Sequence, residues 1–211
     1  MSQERHGLVR RGLLLCALSL AWDLVEAVVA VFAGVAAGSV ALLGFGVDSI
    51  AEMVSAAVVG ARFAYEMGEA PEDRADRVER VERIASRLAG GLLLLVALYI
   101  LADSLRRLTG HGPEPRPSTA GMVLTAVALP VMGLLAWGKL RTARALGSRS
   151  LRADAFESVS CAWLAAATLA GLVANAALGW WWADPVAALA ILPLVVKEGL
   201  EGLRGEEEDD G

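Results

Sequence analysis

The chain has 211 residues, 56% of them hydrophobic, and a mean hydropathy of +0.53. A soluble domain of this size does not need so much apolar surface, and here it comes in long runs instead of the short stripes of a globular helix. The net charge of −5 owes much to the terminal acids Glu206, Glu207, Glu208, Asp209 and Asp210, and nothing in the composition points to a nucleic-acid partner. Cys16 and Cys161 both lie within apolar runs, so no disulfide framework is implied.

A helix needs about 20 mostly apolar residues to cross the hydrocarbon core of a bilayer. Six segments qualify in chain order: 12–33, 40–64, 88–105, 120–138, 153–178 and 181–196. The first follows Arg5, Arg10 and Arg11 as a signal peptide would. It is too long for a cleaved segment and holds Asp23 and Glu26, so it reads as a retained helix. The second carries Asp48 and Glu52. Between the second and third, residues 66–87 interleave Glu with Arg, and the Glu79–Arg83 spacing predicts that the third helix starts before it enters the membrane. Asp103 lies near the far end of that helix. Residues 111–117 are a Pro-rich connector without regular structure. The fifth helix holds Asp154, Glu157 and Cys161, and the short sixth contains Pro185 and Pro193. The expected architecture is all-α: a six-helix transmembrane bundle over residues 1–204, followed by a solvated acidic tail over 205–211.

Lys and Arg accumulate in cytoplasmic loops. With the N-terminus inside, only Arg106, Arg107 and Arg116 of the 19 basic residues fall on the outer side. Lys139 groups with Arg141, Arg144, Arg149 and Arg152 in the inner loop between helices four and five. Both termini are therefore expected in the cytoplasm, with the protein in the cell membrane.

A charge near the bilayer centre costs about 2.5–3.5 kcal/mol on insertion scales, and such residues persist when they face a cavity, pair, or bind an ion. Asp48 lies nine residues beyond Ser39, ~14 Å along a helix, too deep to reach the interface. Asp154, close behind Arg152, and Asp103 could instead snorkel outward. Residues four apart share a helix face. Asp48 and Glu52 can then offer oxygens to one point, and Glu157 and Cys161 an oxygen and a sulfur. If helices two and five are neighbours, these make a four-ligand cage suited to zinc and related divalent ions. No basic residue lies at that depth in either helix, so a cation is the natural compensating partner. Asp23 and Glu26, like Asp154, are candidates for a vestibule or a proton relay, or for hydrogen bonds between helices. Gly44, Gly46 and Ser49 would let helix two pack closely against a neighbour.

Three stretches resemble the cation diffusion facilitator family of divalent-metal efflux transporters. Ser39-Val-Ala-Leu-Leu-Gly-Phe-Gly-Val-Asp48-Ser-Ile-Ala-Glu52 is similar to the family's apolar run ending in a ligand pair. Leu151-Arg-Ala-Asp154-Ala-Phe-Glu157-Ser-Val-Ser-Cys161 is similar to its Ala-Asp-x-x-His-x-x-x-Asp. Trp182-Ala-Asp184-Pro185 is similar to its aromatic-x-Asp-Pro. The resemblance covers nearly the whole chain and implies that Asp48, Glu52, Glu157 and Cys161 form the transport site. Glu157 stands at the usual His and Cys161 at the usual second Asp, which leaves a site without imidazole. Such a donor set takes Zn²⁺ and also Fe²⁺, Mn²⁺, Co²⁺ or Cd²⁺.

The resemblance further implies alternating access, metal–proton antiport, no cofactor and no enzymatic activity. The family usually continues into a cytosolic metal-binding domain. Its absence after the sixth helix would leave any homodimer to the membrane helices. Two other classes compete: a non-transporting accessory or scaffold protein whose acids pair with a partner's basic residues, and an intramembrane enzyme with Cys161 as nucleophile. The latter lacks a histidine base within any span, since His6 and His111 both lie outside.

Overall fold

The structure is a computed structural model that describes residues 3–67 and 72–204, with side chains from residue 5 onward except at 72–79, 81–83, 85 and 86. Among the described residues there are six helices and no strand: α1 (Gln3–Ala37), α2 (Val40–Met67), α3 (Glu72–Leu108), α4 (Thr119–Leu146), α5 (Arg149–Leu178) and α6 (Ala183–Arg204). Each outlasts its apolar run, because helical hydrogen bonding continues wherever no breaker stops it. α3 begins well before the apolar stretch at Leu88, in keeping with the charge pattern that precedes it. The Glu79–Arg83 pairing and the acidic tail lie outside the described side chains.

Five of the six helices, α1 to α5, are long and apolar enough to cross a membrane. α6 is interrupted by Lys197, Glu198 and Glu201, yet Ala188, Ile191 and Val195 are fully buried against the bundle. Pro193 does not end it, which is common in membrane helices where neighbouring groups satisfy the freed backbone.

The helices form a ring in the order α1, α4, α5, α6, α3, α2, and α2 also packs against α5 and α6. Phe32, Leu88, Leu95 and Leu134 point outward, each with about 70% of its surface free. Acidic and hydroxyl side chains point inward. This is the distribution of a chain solvated by lipid.

Helix ends follow from local chemistry. Ser118 and Ser148 cap α4 and α5 by accepting from Gly121 N at 3.1 Å and Leu151 N at 3.3 Å. Gly147 (φ 67°) closes α4 in the left-handed conformation that a side chain would strain, so α4 and α5 are joined by two residues only. Within α2, a Cβ on Gly46 would stand 2.9 Å from Ala30 Cβ and 3.0 Å from Val31 N, so α1 and α2 touch there almost backbone to backbone.

The aromatic-x-Asp-Pro stretch locks the end of the bundle where α1 meets α2 and α6 begins. Buried Asp184, at the start of α6, accepts from the Ser39 hydroxyl and, at 2.9 Å, from Val40 N. It thereby caps α2 from across the bundle, while Pro185 suits the first turn of α6. Asp184→Ala leaves an unpaired amide and hydroxyl, an expected loss of about 1–3 kcal/mol. Thermal unfolding in detergent should show it, with no change in the metal concentration that half-saturates transport. Nearby, Arg107 holds Asp103 at 2.6 Å and donates to the carbonyls of Gly38 and Pro113 at 2.7 and 3.0 Å. Asp103 therefore turns back to Arg107 and Arg106 and does not snorkel alone.

Candidate functional site

Inside the ring, seven carboxyl groups approach one another. Asp23 and Glu26 come from α1, Asp48 and Glu52 from α2, Asp154 and Glu157 from α5, and Glu198 from α6. Asp23, Glu26, Asp48, Glu52 and Asp154 are almost wholly removed from solvent. Glu157 and Glu198 are partly exposed, but Glu157 Oε2 is itself buried.

The acids fall into two groups that meet at Glu52. In one, Asp48 stands beside Glu198, which is also close to Ser160. Glu157 stands beside Ser55 and within electrostatic reach of Asp48 and Glu52. In the other group, Cys161 Sγ lies 3.6 Å from Glu26 Oε2, which also accepts from Ser49 Oγ at 3.1 Å. Trp22 Nε1 donates to the second oxygen of Glu26. Cys161 also faces Glu52.

Three of the four residues expected to ligate an ion each keep one buried oxygen without a partner: Asp48 Oδ1, Glu52 Oε2 and Glu157 Oε2. The helices that carry them, α2 and α5, are packed together. Asp23 leaves both of its oxygens unpartnered. The donors do not close on a single point, and among the described residues no three His, Cys, Asp or Glu groups stand close enough to hold an ion.

Two expectations are corrected. Asp154 does not snorkel: it is fully buried and paired with Lys139 Nζ at 3.0 Å, and the Cys16 thiol lies 3.9 Å from the same oxygen. Lys139 is no loop residue. It sits on α4 two turns before the Gly147 cap, is fully buried, and donates to Ser158 Oγ at 2.9 Å. Ser158 in turn donates to Glu52 Oε1 at 2.5 Å. The acidic interior thus carries an internal cation supplied by α4. Sequence reasoning missed Lys139 because it was grouped with the basic run that follows it. The continuity of α4 to Gly147-Ser148 was the available signal. Glu198 was missed because the sixth segment was ended at 196, two residues short.

These features define a polytopic membrane protein with an acid-lined interior. The cation efflux transmembrane domain matches residues 16–205, and the chain belongs to that family. It is 28% identical over 155 residues to an uncharacterised transporter of Synechocystis sp., covering 73% of this chain and 49% of that protein. It is 23% identical over 167 residues to a cadmium, cobalt and zinc/H⁺-K⁺ antiporter of Bacillus subtilis, covering 79% and 53%. To the magnetosome protein MamB of Paramagnetospirillum magneticum it is 28% identical over 168 residues, covering 80% and 56%. The chain spans about half the length of these relatives. Membership of a family of carriers sets aside the thiol-enzyme reading.

Proposed function

We propose that the protein carries divalent transition-metal cations out of the cytoplasm in exchange for protons, with the ion held by Asp48, Glu52, Glu157 and Cys161. The observation that carries this reading is the set of three unpartnered buried oxygens on Asp48, Glu52 and Glu157 of the facing helices α2 and α5. A buried carboxylate oxygen with no donor is costly unless a cation occupies it. Zn²⁺, Cd²⁺ and Co²⁺ are the first candidates, in line with the name of the Bacillus antiporter. Fe²⁺ and Mn²⁺ also suit carboxylate-rich sites.

Antiport follows from the ligands themselves. Any proton on Asp48 or its neighbour Glu198 must leave before Asp48 ligates a metal, and the thiol of Cys161 must lose its proton to ligate. On the far side protons displace the ion, and the helices return. Both termini face the cytoplasm in this scheme, as the distribution of Lys and Arg requires.

Purified protein in proteoliposomes should take up at least one of these ions against an imposed pH gradient. Absence of uptake for all five would defeat the proposal. Cys161, fully buried beside Glu26 and Glu52, gives an independent check. Its alkylation in the Cys16→Ser background should slow several-fold after metal loading, and equal labelling with and without metal would remove it from the ligand set.

A further inference from the structure

Lys139 is the feature that the transport scheme leaves unexplained. It is a fully buried ammonium at the meeting of α1, α2, α4 and α5. The groups around it are Cys16 and Asp23 from α1, Glu52 from α2, and Asp154 and Ser158 from α5. An ion pair with Asp154 at 3.0 Å satisfies its charge, yet a second bond runs to Ser158 Oγ at 2.9 Å. An ammonium can only donate, so Ser158 must accept from it. Ser158 has one proton, which then goes to the Glu52 carboxylate at 2.5 Å rather than to the Asp154 carbonyl at 3.3 Å. The order ammonium, hydroxyl, carboxylate has one direction. It ties Glu52 Oε1 to α5 and leaves Oε2 unpartnered.

We propose that Lys139, anchored by Asp154, is a positioning residue of the cation site: through Ser158 it fixes the rotamer of Glu52 so that one oxygen is committed to the protein and the other is left for the ion. The pairing also commits Asp154 Oδ2 to Lys139, while Asp154 Oδ1 stays buried without a partner. This inference rests on the proposed transport site, and it adds α4, a helix that contributes no ligand, to the machinery of that site.

The test uses the full chain in proteoliposomes, with Zn²⁺ and Cd²⁺ as the transported probes. Ser158→Ala breaks the relay while leaving both charges in place. Lys139→Met with Asp154→Asn removes both charges together, so that neither is left unpaired. Each is expected to raise the half-saturating metal concentration about tenfold, the equivalent of 1.4 kcal/mol, at an unchanged limiting rate. The triple variant should show no further rise, because both changes break one chain of bonds. A wild-type half-saturating concentration in Ser158→Ala overturns the inference, as does simple addition of the two effects. If the wild-type protein moves neither these ions nor Co²⁺, Fe²⁺ or Mn²⁺, the transport reading falls and takes this one with it. If the wild type transports and the variants match it, only the role of Lys139 is lost.

Discussion

Asp48→Asn and Glu157→Gln, made singly in the full chain, should each lower metal flux by at least about a hundredfold, since loss of even an outer-shell partner of a bound metal typically costs 10–100-fold. Both changes keep the side-chain volume, so a folding defect is not expected. Each removes one negative charge and turns an oxygen donor into an amide nitrogen where an unpartnered oxygen now stands. The Asp48 change also removes the carboxyl that stands beside Glu198. Metal counterflow at equal pH on both sides should fall with net flux, because binding itself is lost. Counterflow at wild-type rate in either variant would show that the residue is no ligand.

The second large effect concerns stability. Asp154→Ala leaves the Lys139 ammonium buried with only a hydroxyl for company. Removing one partner of a buried ion pair typically costs 3–5 kcal/mol, because the remaining charge is uncompensated. The variant is therefore expected to be the least stable of the single substitutions considered, with a large drop in unfolding temperature in detergent. The pair Lys139→Met with Asp154→Asn should recover most of that loss, since neither side chain then carries charge into a region without water. A single Asp154→Ala variant as stable as wild type would mean that Lys139 finds another acid, with Glu52 and Asp23 the nearest alternatives.

These two results address different parts of the same interior. Asp48, Glu52, Glu157 and Asp154 each keep one buried oxygen without a partner, but only Asp154 is ion-paired to a fixed cation through its other oxygen. The four acids are chemically alike and lie on the same two helices, so type and spacing alone do not separate them. The difference comes from α4, which brings a lysine into direct contact with Asp154, reaches Glu52 only through Ser158, and leaves Asp48 and Glu157 out of the ion pair.

Much of the fold was legible in the residues. Runs of about 20 apolar residues can be satisfied only by spanning helices, and all six segments are helical. The i, i+4 pairs Asp48–Glu52 and Glu157–Cys161 could be placed on shared faces because helix geometry is fixed by the backbone. The ends were less legible. α4 runs eight residues past the apolar segment expected for it, and α6 likewise runs past 196, because hydropathy marks where lipid begins and not where hydrogen bonding stops. Lys139 and Glu198 lie in those extensions.

By itself, then, the amino-acid order determined that this is an all-helical membrane chain with acids it cannot expose to lipid, and it singled out the four residues proposed to meet a metal. Only the packing of the helices decided what each acid faces. Asp184 and Asp103 became fasteners at one end of the bundle, Asp154 became the counter-ion of Lys139, and Glu198 joined Asp48. The physical reason is that a buried charge is defined by its partner. The partners here come from helices distant in sequence: Lys139 is only fifteen residues from Asp154 yet on another helix, and Glu198 is far along the chain from Asp48. The acids that look misplaced in apolar helices thus serve as fasteners, as a counter-ion, and, in the proposed function, as ligands of the transported cation.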